Sequence, residues 1–373
     1  MSSRPLRAAL VCPGRGSYLS PELGSLGRAR EEGVTEVRTS LDAVVRELDT
    51  CRAKRGQPSV MTLDSAERFS PREHLRADHA SALILAGSAA DLGLVKAAAQ
   101  AGLIEPVVAC GNSLGWYTAL HVSGALDAPN AARLVDTMAS IQVERGEEGG
   151  QLVYPIADDD SWEVDATRSQ AVEEGLAAAR AAGGQAHVSI WLGGNVVLAG
   201  DEPALKVFTE TLPPVERKGR TFPLRLAGHS AFHTPLMTEM SGIAQGRLGD
   251  LGWRAPEMPL IDGRGVTWSP FHADPAALRQ YTLETQVLET YDFTTSVRVA
   301  LREHAPDLLI LLGPGDSLGG PVGQLLVAER WSGIASRADF LERQGSDDPI
   351  VASLGRAADR SRLLGLLEAG AKA

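Results

Sequence analysis

Cysteine is scarce in this chain: Cys12, Cys51 and Cys110 are the three among 373 residues, and none has C-x-x-C spacing. That excludes a disulfide framework and a zinc site of familiar spacing, and it points to a reducing, cytoplasmic setting. Aromatic residues make up only 5%, so the core has to come from Leu, Val, Ile and Ala with close helix–sheet packing. Positive charge is also short, with 36 Lys and Arg against 47 Asp and Glu, a formal net charge of −11. Nucleic acid is therefore not expected as a partner, because phosphate binding needs basic surface. An acidic partner would have to be met by a local basic patch. The apolar run from Ala8 to Cys12 is too short for the core of a secretion signal. No uncharged apolar stretch reads as long enough to span a bilayer, so no membrane partner is expected.

What is present is an ordinary globular balance, 44% hydrophobic and 22% charged, with 39 glycines. Apolar runs that end in Gly-rich turns and give way to helical periodicity recur along the chain, as in α/β units. Ala8–Cys12 reads as a strand running into Pro13-Gly14-Arg15-Gly16-Ser17. A helix is expected over Leu41–Arg52, and the stretch from Arg52 to Pro71 reads as the least ordered. His79–Leu103 reads as helix and Pro106–Cys110 as a buried strand, with helical pattern resuming from Trp116 and over 129–143. Composition then shifts. A helix over Ser169–Ala182, strands His187–Leu192 and Asn195–Ala199 about a Gly193-Gly194 turn, and a helix over Asp201–Leu212 make 152–222 a compact α+β insertion. A strand at Pro259–Asp262, a helix from Pro275, a strand at Asp307–Leu312 and a mixed helical tail complete the pattern. The division expected is 1–151 and 223–330 for a large α/β subdomain, 152–222 for the insertion and 331–373 for the tail.

The strongest local signal for chemistry is Gly111-Asn112-Ser113-Leu114-Gly115, a G-x-S-x-G between a strand and a helix. Small flanking residues permit a sharp turn that projects the serine hydroxyl, and the helix start offers free N–H groups. An ordinary Gly-rich turn has the same spelling. A serine nucleophile needs a base, and of eight histidines His229 and His233 stand out in Gly228-His229-Ser230-Ala231-Phe232-His233-Thr234-Pro235-Leu236-Met237. Their spacing could suggest a metal pair, but the Glu of H-E-x-x-H is missing and Gly228 and Pro235 oppose a regular helix. Gly14-x-Gly16 and Gly313-x-Gly315 follow strands, yet neither completes a dinucleotide fingerprint or a phosphate loop.

In this order the pieces resemble the malonyl-CoA:acyl-carrier-protein transacylase family, which includes the acyltransferase domains of fatty acid and polyketide synthases. Pro13–Ser17 is similar to its P-G-Q-G-S, Gly111–Leu120 to its G-H-S-L-G-E-Y-x-A-L, Gly194–Gly200 to its G-Q-x-V-I-A-G, and Ser230–Met237 to its catalytic-histidine segment. Gln286–Val297 is similar to its Q-x-x-x-P-V-x-W-x-x-S-V, and Gly313–Gly315 to its closing G-P-G. The match runs from about residue 8 to residue 325. The fold this resemblance implies is α/β: an α/β-hydrolase-like large subdomain with a short parallel sheet and an inserted, ferredoxin-like α+β subdomain. The implied activity is transfer of an acyl group from acyl-CoA to the phosphopantetheine thiol of an acyl carrier protein, with no bound cofactor or metal. By the same resemblance Ser113 is the nucleophile, His233 its base, Gln286 the source of a carbonyl that orients the imidazole, and the backbone N–H groups of Arg15 and Leu114 the oxyanion hole.

Several residues depart from the family pattern. Malonyl-selective members carry an arginine in the helix after the nucleophile, and ungapped counting from Ser113 puts Met138 there. A thioether cannot replace a guanidinium clamp, and Phe232 is typical of small-acyl members, so an uncharged short acyl group such as acetyl is expected. Should the acyl group carry a carboxylate, Arg15, in place of the family's Gln, is the candidate partner. Asn112 replaces a His and Trp116 a Glu beside the nucleophile; both are taken as substrate-binding candidates, with core packing the alternative for Trp116. Arg133 and Arg145 lie near Met138 in sequence but are expected to point elsewhere. Arg217, Lys218 and Arg220 offer a basic patch for an acidic carrier. The same Ser113–His233 pair would equally serve a hydrolase that clears short acyl groups from stalled carriers, and a scaffold without chemistry is a third reading.

Overall fold

Short β-branched and Leu-rich runs form the inner strands because both their faces are covered by helices. The computed structural model describes residues 4–217 and 219–371. In the larger sheet Leu260–Ile261, Ile104–Gly111, Leu6–Cys12, Leu308–Leu311 and Val351–Ser353 lie side by side and parallel, with Thr267–Trp268 antiparallel at one edge. Leu6–Cys12 is the centre, and from Ala8 onward it is buried on both faces. Its C-terminal end and that of Ile104–Gly111 deliver the loops carrying Arg15 and Ser113 to the same rim. Ligands of open parallel sheets gather at such rims.

The smaller sheet has the order Tyr291–Asp292, Ala186–Leu192, Asn195–Gly200, Gly150–Pro155, Leu224–Arg225. Helices Ala166–Ala181 and Glu202–Thr211 bury Val172, Leu176, Leu205 and Phe208 in its own apolar cluster. Its four strands from residue 150 to 225 are antiparallel neighbours in a β-α-β-β-α-β ferredoxin-like order. The fold is thus the expected α/β class with an inserted ferredoxin-like unit. The last strand, Leu224–Arg225, is two residues long and carries no readable alternation. Tyr291–Asp292 pairs in parallel with Ile190–Trp191, so a segment remote in sequence completes this sheet. Its Tyr291 hydroxyl donates to the Gly111 carbonyl at 2.6 Å, tying the small sheet to the end of the strand that leads into Ser113.

One expectation is corrected. Residues 52–71 are not an irregular stretch. Helix Pro71–His74 sets His74 Nε2 3.1 Å from the Leu63 carbonyl, and helix Val60–Asp64, capped by Ser59, ends in the buried Asp64. That carboxylate accepts from the Tyr18 hydroxyl at 2.8 Å and from the N–H groups of Leu26 and Gly27. Helix Ala77–Gln100 is, by length and composition, apolar enough to cross a membrane, but Asp78, Asp91 and Lys96 interrupt it, so it holds no uncharged run of spanning length, as the sequence indicates. Here 89% of its apolar window is buried within the protein, as expected of a helix that is hydrophobic all round.

That helix carries two buried carboxylates: Asp78, paired with Arg76 at its start, and Asp91, which accepts from the Gly313 N–H and pairs with Arg360 of the C-terminal helix Ala357–Ala371. Arg360 also pairs with Glu32, so the tail is pinned to the core by a mostly buried ionic cluster. Removing one partner of such a cluster strands a buried charge, which typically costs about 3–5 kcal/mol. Arg360→Ala is expected to lower the Tm by about 5 °C or more. Arg133→Ala, which breaks an exposed pair with Asp250, is expected to shift it by little. Calorimetry of both variants checks this, and equal shifts would contradict the pinning role.

Candidate active site

Strand Ile104–Gly111 stops at Asn112 and helix Leu114–Val122 starts one residue later, leaving Ser113 at the turn with φ 55° and ψ −112°. A side chain in that left-handed region carries about 1–3 kcal/mol of strain. The flanking glycines make the turn possible. A Cβ on Gly111 would lie 2.1 Å from the Gly115 carbonyl oxygen, and one on Gly115 would lie 2.2 Å from that of Cys12. Strand, turn and helix are therefore pressed together, and the hydroxyl is thrust out over the sheet rim.

His233 arrives from 120 positions away and is also held at positive φ, 63°. Its N–H donates to the Val287 carbonyl at 2.8 Å. The loop before it is fixed by the small sheet: Ser189 Oγ and Gln151 Nε2 both donate to the Phe232 carbonyl, at 2.9 and 3.3 Å. The imidazole Nε2 lies 2.8 Å from Ser113 Oγ, and Nδ1 lies 2.5 Å from the Gln286 carbonyl oxygen. A carbonyl oxygen can only accept, so Nδ1 carries the proton and Nε2 offers its lone pair to the serine hydroxyl. Burial pushes the His233 pKa down to about 4, with the Gln286 carbonyl acting in the opposite sense. The ring is neutral at pH 7 and able to take a proton. The Gln286 side chain closes the circuit, donating to the Ser113 carbonyl at 3.2 Å and accepting from the Tyr117 hydroxyl at 3.0 Å.

A cavity of about 50 Å³ adjoins the pair, bounded by Ser113, Leu114, Arg15, Met138, Phe232 and Gln286. Leu114 opens its helix, where the first N–H groups lack intrahelical acceptors. Two candidates fall outside the cavity wall. The fully buried Trp116 donates from Nε1 to Thr282 Oγ1 at 3.0 Å and meets Tyr281 edge-on, so it is a core side chain. Asn112 packs against the Gly14 backbone, and its Oδ1 is buried without a hydrogen-bond partner. Arg133 and Arg145 are engaged elsewhere, by Asp250 and by Glu148 and Glu239. Arg217 is spent on Asp159, Asn195 and the Ala157 carbonyl rather than presented to a partner, while Arg220 is exposed and Lys218 lies outside the described residues.

Sequence reasoning missed Tyr117, Gln142, Gln151 and Ser81, which also line the cavity. Tyr117 falls within the Gly111–Leu120 segment, one turn beyond Ser113, and that spacing is the available signal. His229 lines the cavity too, and its pKa is pushed down to about 3 by burial and by the charge of Arg15. It and His233 serve different neighbours, and among the described residues no cluster of three or more His, Cys, Asp or Glu could hold a metal.

A strained elbow serine hydrogen-bonded to a buried histidine, on a parallel-sheet rim closed by a ferredoxin-like sheet, defines a serine–histidine α/β protein with a small acyl-sized pocket. No family model matches the chain. It is 28% identical over 233 residues to the malonyl CoA-acyl carrier protein transacylase of Escherichia coli K12, covering 62% of this chain and 70% of that one. It is 27% identical over 356 residues to the phenolphthiocerol synthesis polyketide synthase Pks15/1 of Mycobacterium marinum, covering 93% of this chain and 14% of the synthase. The chain spans between 4% and 14% of the length of the first synthases it matches. Among solved structures, the acyl-carrier-protein S-malonyltransferase of Burkholderia pseudomallei superposes with a TM-score of 0.70 at 22% identity, covering 96% of this chain and all of that one. A type II polyketide synthase acyl-carrier protein in complex with its malonyl-transacylase gives 0.70 at 19% identity, covering 96% and 99%. At these identities the solved structures establish the fold. The relatives and structural neighbours of this chain are malonyl-CoA:acyl-carrier-protein transacylases and polyketide synthase acyltransferase domains, the family its motifs resemble.

The depressed pKa of His233 makes a direct prediction. Unfolded chains bind its proton near 6.5 and the folded protein only near 4. The contribution of this group to stability is therefore complete above about 6.5 and is lost as pH falls through that window. Imidazole NMR is expected to show a neutral, Nδ1-protonated ring at pH 5.5 and a midpoint near 4; a midpoint at or above 6.5 would contradict the burial argument.

Proposed function

We propose that this chain is a serine acyltransferase that moves a short acyl group from acyl-CoA to the phosphopantetheine thiol of an acyl carrier protein, in fatty acid or polyketide biosynthesis. The observation that carries the reading is the 2.8 Å contact from Ser113 Oγ to His233 Nε2, set beside a cavity too small for a long chain. The transacylase–carrier complex among the structural neighbours supports the choice of acceptor. The free cysteines accord with a reducing, cytoplasmic setting.

The reaction runs in two halves. As Ser113 Oγ bonds to the thioester carbon, its proton passes to His233 Nε2, and the carbonyl oxygen becomes an oxyanion. The N–H groups of Leu114 and Arg15 receive that charge; one such donor is typically worth ~10²–10³ in rate. Collapse breaks the carbon–sulfur bond, His233 returns its proton to the departing sulfur, and CoA leaves an ester on Ser113. In the second half the carrier thiol gives its proton to His233 and attacks the ester, and the serine oxygen recovers the proton as it leaves. The Gln286 carbonyl steadies the imidazolium formed midway, in the place where hydrolytic triads use a carboxylate. Phe232 narrows the pocket, and Met138 offers nothing to a charged acyl group, so the helix that carries it does not by itself select one.

Intact mass spectrometry after exposure to a panel of acyl-CoAs tests the proposal. Wild type is expected to gain one acyl group, Ser113→Ala none, and His233→Ala to load about 10²–10⁴-fold more slowly. Subsequent addition of holo carrier should strip the acyl group. Release at the same rate without any acceptor thiol would turn the reading to a hydrolase, and acylation of Ser113→Ala would remove it.

A further inference from the structure

Arg15 replaces a neutral residue of the family pattern, and its side chain ends in the acyl cavity. One terminal nitrogen donates to Gln142 Oε1 at 2.6 Å and the other to the Gly228 carbonyl, while Nε is enclosed with no acceptor at all. None of the ion pairs among the described residues includes Arg15. A guanidinium whose hydrogen-bond acceptors are all neutral is costly to enclose, because its hydration is lost and Glu147, the carboxylate that acts on it, forms no ion pair with it. The cost shows in its acidity, which burial brings from 12.5 to about 10 although the charge of Glu147 acts in the opposite sense. Such a cation inside a cleft marks an anion's place.

The position of that place is informative. Gln142 lies one helical turn after Met138 on helix Ala128–Arg145, and both side chains face the cavity. Arg15 reaches this wall from the opposite loop, so a guanidinium stands beside Met138 although the helix supplies none. The volume agrees. One water-sized group needs ~10–15 Å³ of such space, so the cavity of about 50 Å³ takes roughly three to five heavy atoms. A methylene and a carboxylate beyond the ester carbonyl fill it, and a lone methyl does not.

We propose that Arg15 is the specificity-determining residue of this site and receives a carboxylate at the far end of the acyl group. The substrate class is then short acyl thioesters ending in a carboxylate, of which malonyl-CoA is the simplest probe. This rests on the acyltransferase reading of Ser113 and reverses the uncharged acyl group that Met138 alone suggests. The carboxylate takes the Arg15 N–H groups bidentately, displacing the bonds to Gln142 or Gly228, and Gln142 can turn its amide N–H toward the same anion.

The test compares loading of the full chain by malonyl-CoA and acetyl-CoA in wild type, Arg15→Gln and Arg15→Gln/Met138→Arg. Wild type is expected to load malonyl at least about 10-fold faster than acetyl, and Arg15→Gln to cut that ratio about 10- to 100-fold, the usual worth of a charged hydrogen-bonded pair. The double variant, which returns a guanidinium from the helix wall, should regain most of the preference. Acetyl loading as fast as malonyl in wild type overturns the proposal, as does a ratio that Arg15→Gln leaves unchanged. A second arm needs no chemistry: in Ser113→Ala, malonyl-CoA is expected to raise the Tm more than acetyl-CoA does, and adding Arg15→Gln should abolish the difference. Equal shifts in Ser113→Ala overturn the proposal. Discrimination in this arm with no acylation of wild type by either thioester would sink the acyl-enzyme reading and leave the Arg15 assignment standing.

Discussion

The hydrogen bond from His233 Nδ1 to the Gln286 carbonyl, 2.5 Å long, fixes the imidazole tautomer, and the rest of the site is arranged around that choice. Only with the proton on Nδ1 does Nε2 present a lone pair to Ser113. The partners come from three separated stretches of chain. The parallel sheet supplies the serine, the small sheet steadies the histidine loop through Gln151 and Ser189, and the segment after residue 280 supplies the carbonyl. Tyr291 and the Gln286 side chain then bind these parts to one another. Strain at Ser113 and His233, both at positive φ, is sustained because the surrounding contacts over-determine their positions.

Much of this was legible in the sequence where local physics leaves few options. Gly111 and Gly115 admit no side chain once strand and helix are pressed together, so the elbow could be read from five residues. The two-strand core of the insertion was readable from its hairpin glycines and alternating strands. Elements of two or three residues, such as Leu224–Arg225 and Val351–Ser353, were not. They are too short to show a period, and their pairing depends on partners far along the chain. The buried Asp64 likewise orders a stretch whose Gly and Pro content suggests irregularity.

The site shows the same division. The structure brings Ser113, His233 and the main-chain carbonyl of Gln286 together, whereas other side-chain destinations could not be read. Trp116 goes to the core because a large ring with one N–H gains more from burial and the Thr282 hydroxyl than from lining a small cavity. Asn112 turns to the Gly14 loop. Arg15 was placed by its backbone, but where its guanidinium ends depends on Gln142 and Gly228, each remote in sequence. Counting along a helix from Ser113 finds Met138, whereas the candidacy of Arg15 came from the Pro13–Ser17 motif on another loop.

The acceptor that sets the imidazole belongs to the peptide group of residue 286 and not to its side chain. A carboxylate in that role could be erased by changing one codon. A peptide oxygen survives every amino-acid exchange at its own position, so the third partner of the pair is shielded from point mutation. It also leaves no letter of its own in the sequence by which to recognise it.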